Sequence, residues 1–190
     1  KEIEEIYRVI EGGRQSVVLV GEHGVGKMSV IEGIVQRLIV GNAPKRLIEK
    51  RVVQLSTSAL MAGATVSGAQ ERLIKMMNEI HKAGNIVLFI NNIHDLVSLS
   101  GAQGEEGLDV SETLAEYLGQ GGVFTFATTT VEGYNRHITN SQLGSALSRI
   151  DIKEMDNNQA IQVLESKAGS VEYKHNVFFS YDALEQAVKL

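Results

Sequence analysis

A run of apolar residues, SVVLV at Ser16 to Val20, leads directly into GEHGVGKMS, Gly21 to Ser29. Strand, then G-x-x-x-x-G-K, then helix is the order that a phosphate-binding loop requires, because successive backbone N–H groups must converge on a di- or triphosphate. Gly21, Gly24 and Gly26 permit that close approach. Lys27 reaches the terminal phosphates, and the helix that follows turns its partial positive end toward the same anion. Gly21, Glu22, His23, Gly24, Val25, Gly26, Lys27, Met28 and Ser29 are therefore the candidate nucleotide-binding residues. The bland alternative is a glycine turn that happens to precede a lysine, and the flanking strand and helix argue against it. One position departs from the pattern. After the lysine such loops carry Ser or Thr, whose hydroxyl coordinates the Mg²⁺ bridging the outer phosphates. Here the residue is Met28, and a soft thioether does not replace a hard oxygen on Mg²⁺. Ser29 has a hydroxyl, but one step further along a helix it is rotated by roughly 100°.

The elements that must position this loop are legible in the spacing of apolar residues. KEIEEIYRVIEGG places Ile3, Ile6, Tyr7 and Ile10 at helical intervals before paired glycines. Lys27 to Val40 repeats Val30, Ile31, Ile34, Val35 and Leu38 at steps of three and four, and Gly41, Asn42 and Pro44 supply the break. RVVQL (51–55), IVLFI (86–90), VFTFATTT (123–130) and IDIKEM (150–155) read as strands. Between them lie a helix over 69–82 through Leu73, Met76, Met77 and Ile80, an irregular, exposed loop SLSGAQGEEG (98–107), and a helix over 109–118. Met76 and Met77 fall on the apolar stripe and are expected in the core. Continuously apolar strands alternating with helices indicate a parallel sheet covered on both faces. After Asp156 the alternation stops, and NNQAIQVLESK and YDALEQAVKL are both helical, the second behind the aromatic stretch VFF.

Composition narrows the function classes. The 190 residues, 43% hydrophobic and 22% charged, suit one globular domain with a fragment of a second. A net charge of -5 with interspersed signs offers no basic face, so no nucleic-acid partner is expected. There is no cysteine, which excludes disulfides, thiolate metal sites and cysteine nucleophiles and fits a reducing compartment. The longest apolar run, IVLFI, is far short of the ~20 residues of a membrane helix, and no secretory signal is visible, so no membrane partner is expected. His81 and His94 lack a matching set of ligands and are assigned ordinary structural roles, with no metal site. Because the chain opens at Lys1 and stops at Leu190 inside helical patterns, it is expected to be an excised piece of a longer protein.

Several segments, taken in order, resemble one family. GEHGVGK, RVVQLSTSALMAGA, GNIVLFINNIHDLV, ATTTVEGYNRHI and YKHNVFFSYDALEQAVKL are together similar to the first ATPase module of the Clp-type unfoldase and disaggregase chaperones, within the AAA+ ATPases. The likeness covers nearly the whole chain. It implies an α/β fold of the AAA+ P-loop NTPase kind, a parallel five-stranded sheet flanked by helices over 1–155, followed by the start of a helical lid subdomain over 156–190. It also implies ATP or ADP as ligand, a ring (a hexamer in the full-length protein), client polypeptides, a partner protease as a further candidate, and a cytoplasmic, stromal or matrix location.

At Asn91 and Asn92, which follow the buried strand IVLFI, the family pattern has Asp-Glu. Those acids complete the magnesium shell and activate the attacking water. Asparagine carries no charge and cannot serve as a carboxylate base. With Met28, three adjacent functions are lost in one direction, so the expectation is a module that holds nucleotide with little need of Mg²⁺ and hydrolyses it poorly or not at all. The resemblance further implies that Thr129 stands at the family's first sensor, Arg149 where the family carries an arginine finger, and Val66 where its pore loop carries an aromatic residue. A strand-end threonine serving its local backbone and a surface ion pair are the plain alternatives for Thr129 and Arg149. Three other functions remain open at this level. The chain could be a working ATPase using Asp95 or Glu22 as a replacement acid, a nucleotide-free interaction domain, or a clamp-loader-like ATPase, which the lack of a basic surface disfavours.

Overall fold

The computed structural model describes residues 1–63, 65–100 and 110–189. Two units are present, Lys1–Ile152 and Lys153–Leu190.

In the first unit α1 (Glu2–Glu11) precedes β1 (Ser16–Val20), and α2 (Lys27–Ile39) leaves the glycine loop. Then come β2 (Arg51–Leu55), α3 (Thr57–Met61), α4 (Val66–Ala83), β3 (Ile86–Ile90), α5 (His94–Ser100), α6 (Val110–Gly119) and β4 (Phe124–Thr129). A short turn α7 (Val131–Gly133) continues as a π-helix, Tyr134–Ile138, before α8 (Gln142–Ala146) and β5 (Ser148–Asp151). The five strands form one parallel sheet in the order β2-β3-β4-β1-β5. The parallel sheet is the one that the sequence pattern anticipates, and its five strands agree with the AAA+ P-loop NTPase fold that the resemblance implies.

Alternation along each strand divides the core in two. Val17, Leu19, Val87, Phe89, Phe124 and Phe126 pack on one face with Ile6 and Ile10 of α1 and Ile31 and Ile34 of α2. Val18, Val20, Leu88, Ile90 and Ala127 pack on the other with Leu73 and Met77 of α4 and Leu114 and Leu118 of α6. Met77 is fully buried and Met76 is packed against the same cluster, as the helical stripe predicts. The central strands β1 and β4 are buried along their whole length, while the edge strand β2 leaves Val53 exposed.

Several boundaries differ from the periodicity reading for identifiable reasons. α4 begins at Val66 rather than at residue 69, because the Thr65 side chain caps it by accepting from the Gly68 N–H. β5 begins two residues before IDIKEM and ends at Asp151. Its partner β1 stops at Val20, and the last rung is Ile152 N–H donating to the Val20 carbonyl at 2.7 Å. The short helices α3, α5, α7 and α8 and the π-helix have too few turns for an apolar period to show. Ser98 to Ser100, read as the start of the glycine-bearing loop, belong to α5, and residues 101–107 of that loop and Asp109 lie outside the described residues. In the pore-loop-like segment Val66 opens α4, and Ala64 lies outside the described residues.

The second unit contains α9 (Asn157–His175) and α10 (Tyr181–Lys189). α9 starts with a capping box, in which Asp156 and Gln159 each accept from the other's backbone N–H, and it ends at Asn176 in the left-handed conformation. Among the described residues no helix is long and apolar enough to cross a membrane.

Candidate nucleotide-binding site

Parallel strands end on the same edge of a sheet, and ligands of such folds bind outside those carboxyl ends. Here β3, β4 and β1 are neighbours, so the segments that leave them are brought together: Asn91 and Asn92 after β3, Thr129 at the end of β4, and the glycine loop after β1. The Gly21 N–H donates to the Thr129 carbonyl at 3.3 Å and ties the loop to its neighbour strand.

The loop has the backbone that a phosphate cradle demands. Gly24 and Gly26 have φ of 84° and 93°, a region that residues with a Cβ rarely adopt. At Gly21 the demand is space, since a Cβ there would lie 2.5 Å from the Ile152 carbonyl oxygen. Gly26 also stands at the N-cap of the 13-residue α2, so the unpaired N–H groups of its first turn are available to an anion. Lys27 Nζ donates to the carbonyls of Gly21 at 2.7 Å and Glu22 at 2.8 Å. Its ammonium therefore rests over the loop's own carbonyls, and a bound phosphate would offer it stronger, charged acceptors. Burial lowers the Lys27 pKa and the Glu22 carboxylate opposes that shift. These residues fit a nucleotide polyphosphate.

The turn after β3 is held differently. Thr128 Oγ1 donates to Asn91 Oδ1 at 2.6 Å and accepts from the Asn92 N–H at 3.1 Å, while the Ile93 N–H donates to the Thr128 carbonyl at 2.9 Å. Asn92 has φ of 50°, which asparagine tolerates better than most residues. This gives position 92 a local backbone reason for its residue type that spacing alone does not show. Met28 is 39% exposed in the first turn of α2. Where the resemblance implies a hydroxyl and two carboxylates, Met28 has a thioether and Asn91 and Asn92 have neutral amides, of which the Asn91 oxygen already accepts from Thr128. Among the described residues no three His, Cys, Asp or Glu side chains are grouped as metal ligands.

His94, which sequence spacing marks only as structural, stands at this edge. Its Nδ1 lies 2.9 Å from Thr129 Oγ1, and its Nε2 lies 3.5 Å from Asp95 Oδ1. Burial lowers its pKa most. The Asp95 carboxylate opposes this, and His137, His23 and Lys27 lower the pKa further, which puts the imidazole in the electrostatic field of the phosphate loop. Neither strand periodicity nor helix periodicity signals such a contact between side chains 35 residues apart.

Arg149 sits in the edge strand β5 beside Val18 of β1. Its Nε and Nη2 reach Asp151 Oδ1 at 2.9 Å and 2.8 Å, and its guanidinium lies 4.7 Å from the centre of the Tyr134 ring. Within this chain it is thus engaged with Asp151 and Tyr134.

Comparison with known proteins agrees with the fold. Residues 17–160 match the model of the ATPase family associated with various cellular activities (AAA). The negative regulator of genetic competence ClpC/MecB of Bacillus subtilis is 36% identical over 192 residues, covering 98% of this chain and 24% of that protein. The chaperone protein ClpB of Wolinella succinogenes is 37% identical over 193 residues, covering 98% of this chain and 22% of that one. The S. cerevisiae Hsp104-ADP complex superposes with a TM-score of 0.82 at 29% identity, covering all of this chain and 32% of the other. The chain thus spans about a quarter of the length of these curated relatives.

Proposed function

Since the chain belongs to the AAA family of ATPases and is similar in sequence to its Clp-type chaperones, we propose that it is the first nucleotide-binding module of a Clp-like protein-remodelling machine, a module that holds ATP or ADP and hydrolyses ATP poorly. One observation carries this reading. The cradle after β1 keeps its left-handed glycines and its lysine, while the adjacent turn after β3 presents the neutral amides Asn91 and Asn92. Hydrolysis needs a group that takes a proton from the attacking water, and an amide has no useful basicity near neutral pH. Anion binding needs only oriented N–H groups and a cation.

In this reading Mg²⁺ contributes little to affinity, and the module serves ring assembly or regulation. Arg149, presented on the edge strand β5, would turn from Asp151 toward a neighbouring subunit's nucleotide. The ring, its client polypeptides, a partner protease and a cytoplasmic or organellar location belong to the proposed full-length protein. Titration with ATP and ADP, with and without Mg²⁺, alongside a phosphate-release assay, tests the proposal. Binding that is indifferent to Mg²⁺ with negligible release is the expected result, whereas brisk release abolished by Lys27→Ala would refute it.

A second reading, an active ATPase, draws on the placement of Asp95, whose carboxylate lies 3.5 Å from the imidazole that contacts Thr129. It predicts phosphate release that Asp95→Asn removes. A chain that binds neither nucleotide would instead fit a structural interaction domain.

A further inference from the structure

In a parallel sheet every strand starts at one edge and ends at the other, and the glycine loop lies at the ending edge. The starting edge collects a different set of side chains. Arg14 stands two residues before β1, Lys50 and Arg51 stand at the start of β2, and Lys82 is in the last turn of α4 before β3. Lys45 and Arg46 lie in the segment between α2 and β2. Two of these cations are fixed by contacts. Arg46 Nη1 donates to the Ile10 carbonyl in the last turn of α1 at 3.0 Å, and Lys50 Nζ donates to the Gly84 carbonyl just past α4 at 2.6 Å. Both also lie over the ring of Phe124, the first residue of β4, at 5.6 Å and 5.1 Å from its centre.

Signs that look interspersed along the chain are thus gathered by the fold. Six of the 18 lysines and arginines share this edge of a chain whose net charge is -5, and among the described residues none of the six forms an ion pair. Glu11 and Glu49, the acids nearest to them along the chain, pair with none of them either. All but Lys50 are exposed. Apolar side chains are exposed in the same stretch: Ile48, between Arg46 and Lys50 in sequence, and Val53 on β2, an edge strand that pairs with β3 alone.

This combination selects among polyanions. A phosphodiester backbone answers the charge but offers nothing to Ile48 and Val53, and Phe124, buried beneath its two cations, gives bases no ring to stack on. A peptide with carboxylates and aliphatic side chains answers both, and the open side of an edge strand suits an extended backbone.

We propose that the starting edge of the sheet, from Lys45 to Val53, docks an acidic segment of a partner protein, whose carboxylates meet Lys45, Arg51 and Lys82 and whose aliphatic side chains meet Ile48 and Val53. The surface lies at the edge opposite the glycine loop, so the inference goes beyond nucleotide binding and does not depend on it.

The probe is a fluorescein-labelled peptide of Glu and Asp interspersed with Leu and Val, and fluorescence anisotropy of the full chain reads its binding. The peptide should bind, more weakly as salt rises, while the same peptide with Ser at every acid should not. Lys45→Glu with Arg51→Glu should weaken binding about tenfold, and Lys45→Arg with Arg51→Lys should keep it. Ile48→Ser should weaken it about threefold without changing its salt dependence. The same charge reversal at Lys167 and Lys174 of α9 should leave it unchanged, which separates a local surface from the pull of net charge. If the Lys45 and Arg51 reversal unfolds the chain, Arg51→Gln with Lys82→Gln should weaken binding in the same direction. A role confined to keeping the open side of β2 from pairing with another sheet predicts no peptide affinity. The proposal is overturned by absent binding, by equal losses from the α9 reversal, or by tighter binding of a single-stranded oligonucleotide of the same charge. Self-association of the chain that Lys45→Glu with Arg51→Glu abolishes, seen in sedimentation, would also overturn it, since the occupant would then be a second copy.

Discussion

The segment that leaves β1 and the segment that leaves β3 lie at the same edge of one sheet, yet they are held by different means. In the first, the backbone sets the geometry: glycines at φ of 84° and 93° shape the turn that leads into α2, and the side chain of Lys27 folds back over it. In the second, side chains would have to supply charge, and Asn91 and Asn92 supply none. Holding a phosphate and activating water are thus physically separable. The backbone can keep one function after side-chain substitution has removed the other.

The most forceful way to break this contrast is to return the acids. Asn91→Asp with Asn92→Glu should raise phosphate release by about 10²-fold, the lower end for a positioned general base. The gain appears only if the cradle binds nucleotide, so a phosphate-release assay with and without Lys27→Ala separates the two segments. Glutamate at φ of 50° is strained, so the double variant should also lose about 1 kcal/mol of stability, read as a fall in Tm.

Lys27→Ala attacks the other side. It should weaken binding of either nucleotide roughly 10- to 100-fold by removing a charge-assisted contact worth about 1.5–3 kcal/mol, as calorimetry would show. Gly21→Ala tests the backbone part of the cradle. Its new Cβ meets the Ile152 carbonyl oxygen, and an overpacking cost of about 1–3 kcal/mol should appear in thermal unfolding along with weaker binding.

The smallest effect concerns pH. Since burial lowers the His94 pKa from 6.5 in the folded chain, the unfolded chain binds more protons at that position. Stability should therefore be unaffected by His94 above pH 6.5 and fall as pH drops below 6.5 toward the lowered value. His94→Asn should flatten that part of the profile in denaturant titrations, and an unchanged slope would count against the burial of this ring.

Much of the frame was open to reading because it depends on near neighbours along the chain. The strands at 16–20, 51–55 and 86–90 coincide with SVVLV, RVVQL and IVLFI, since runs of β-branched and aromatic residues between glycine or polar breaks have few other ways to fold. The helix after Lys27 ends one residue before its expected stop, because Gly41 and Asn42 cannot extend it. Family likeness, rather than periodicity, placed Asn91, Asn92, Thr129 and Arg149 among the candidates. Their chemical surroundings stayed hidden. Thr128 meeting Asn91, and Thr129 meeting His94, depend on β4 lying beside β3, and Arg149 meeting the Tyr134 ring depends on a π-helix too short to leave a period, whereas its partner Asp151 stands two residues along its own strand.

What the sequence determined alone is local: the glycine loop, because glycine content and a following helix dictate its backbone, and the neutral amides at positions 91 and 92, because no fold gives asparagine a carboxylate. What only the tertiary structure decided is partnership. Strand order brought residues more than thirty positions apart within hydrogen-bond distance, and in that contact the Thr129 hydroxyl acquired a partner that its own sequence neighbours do not supply.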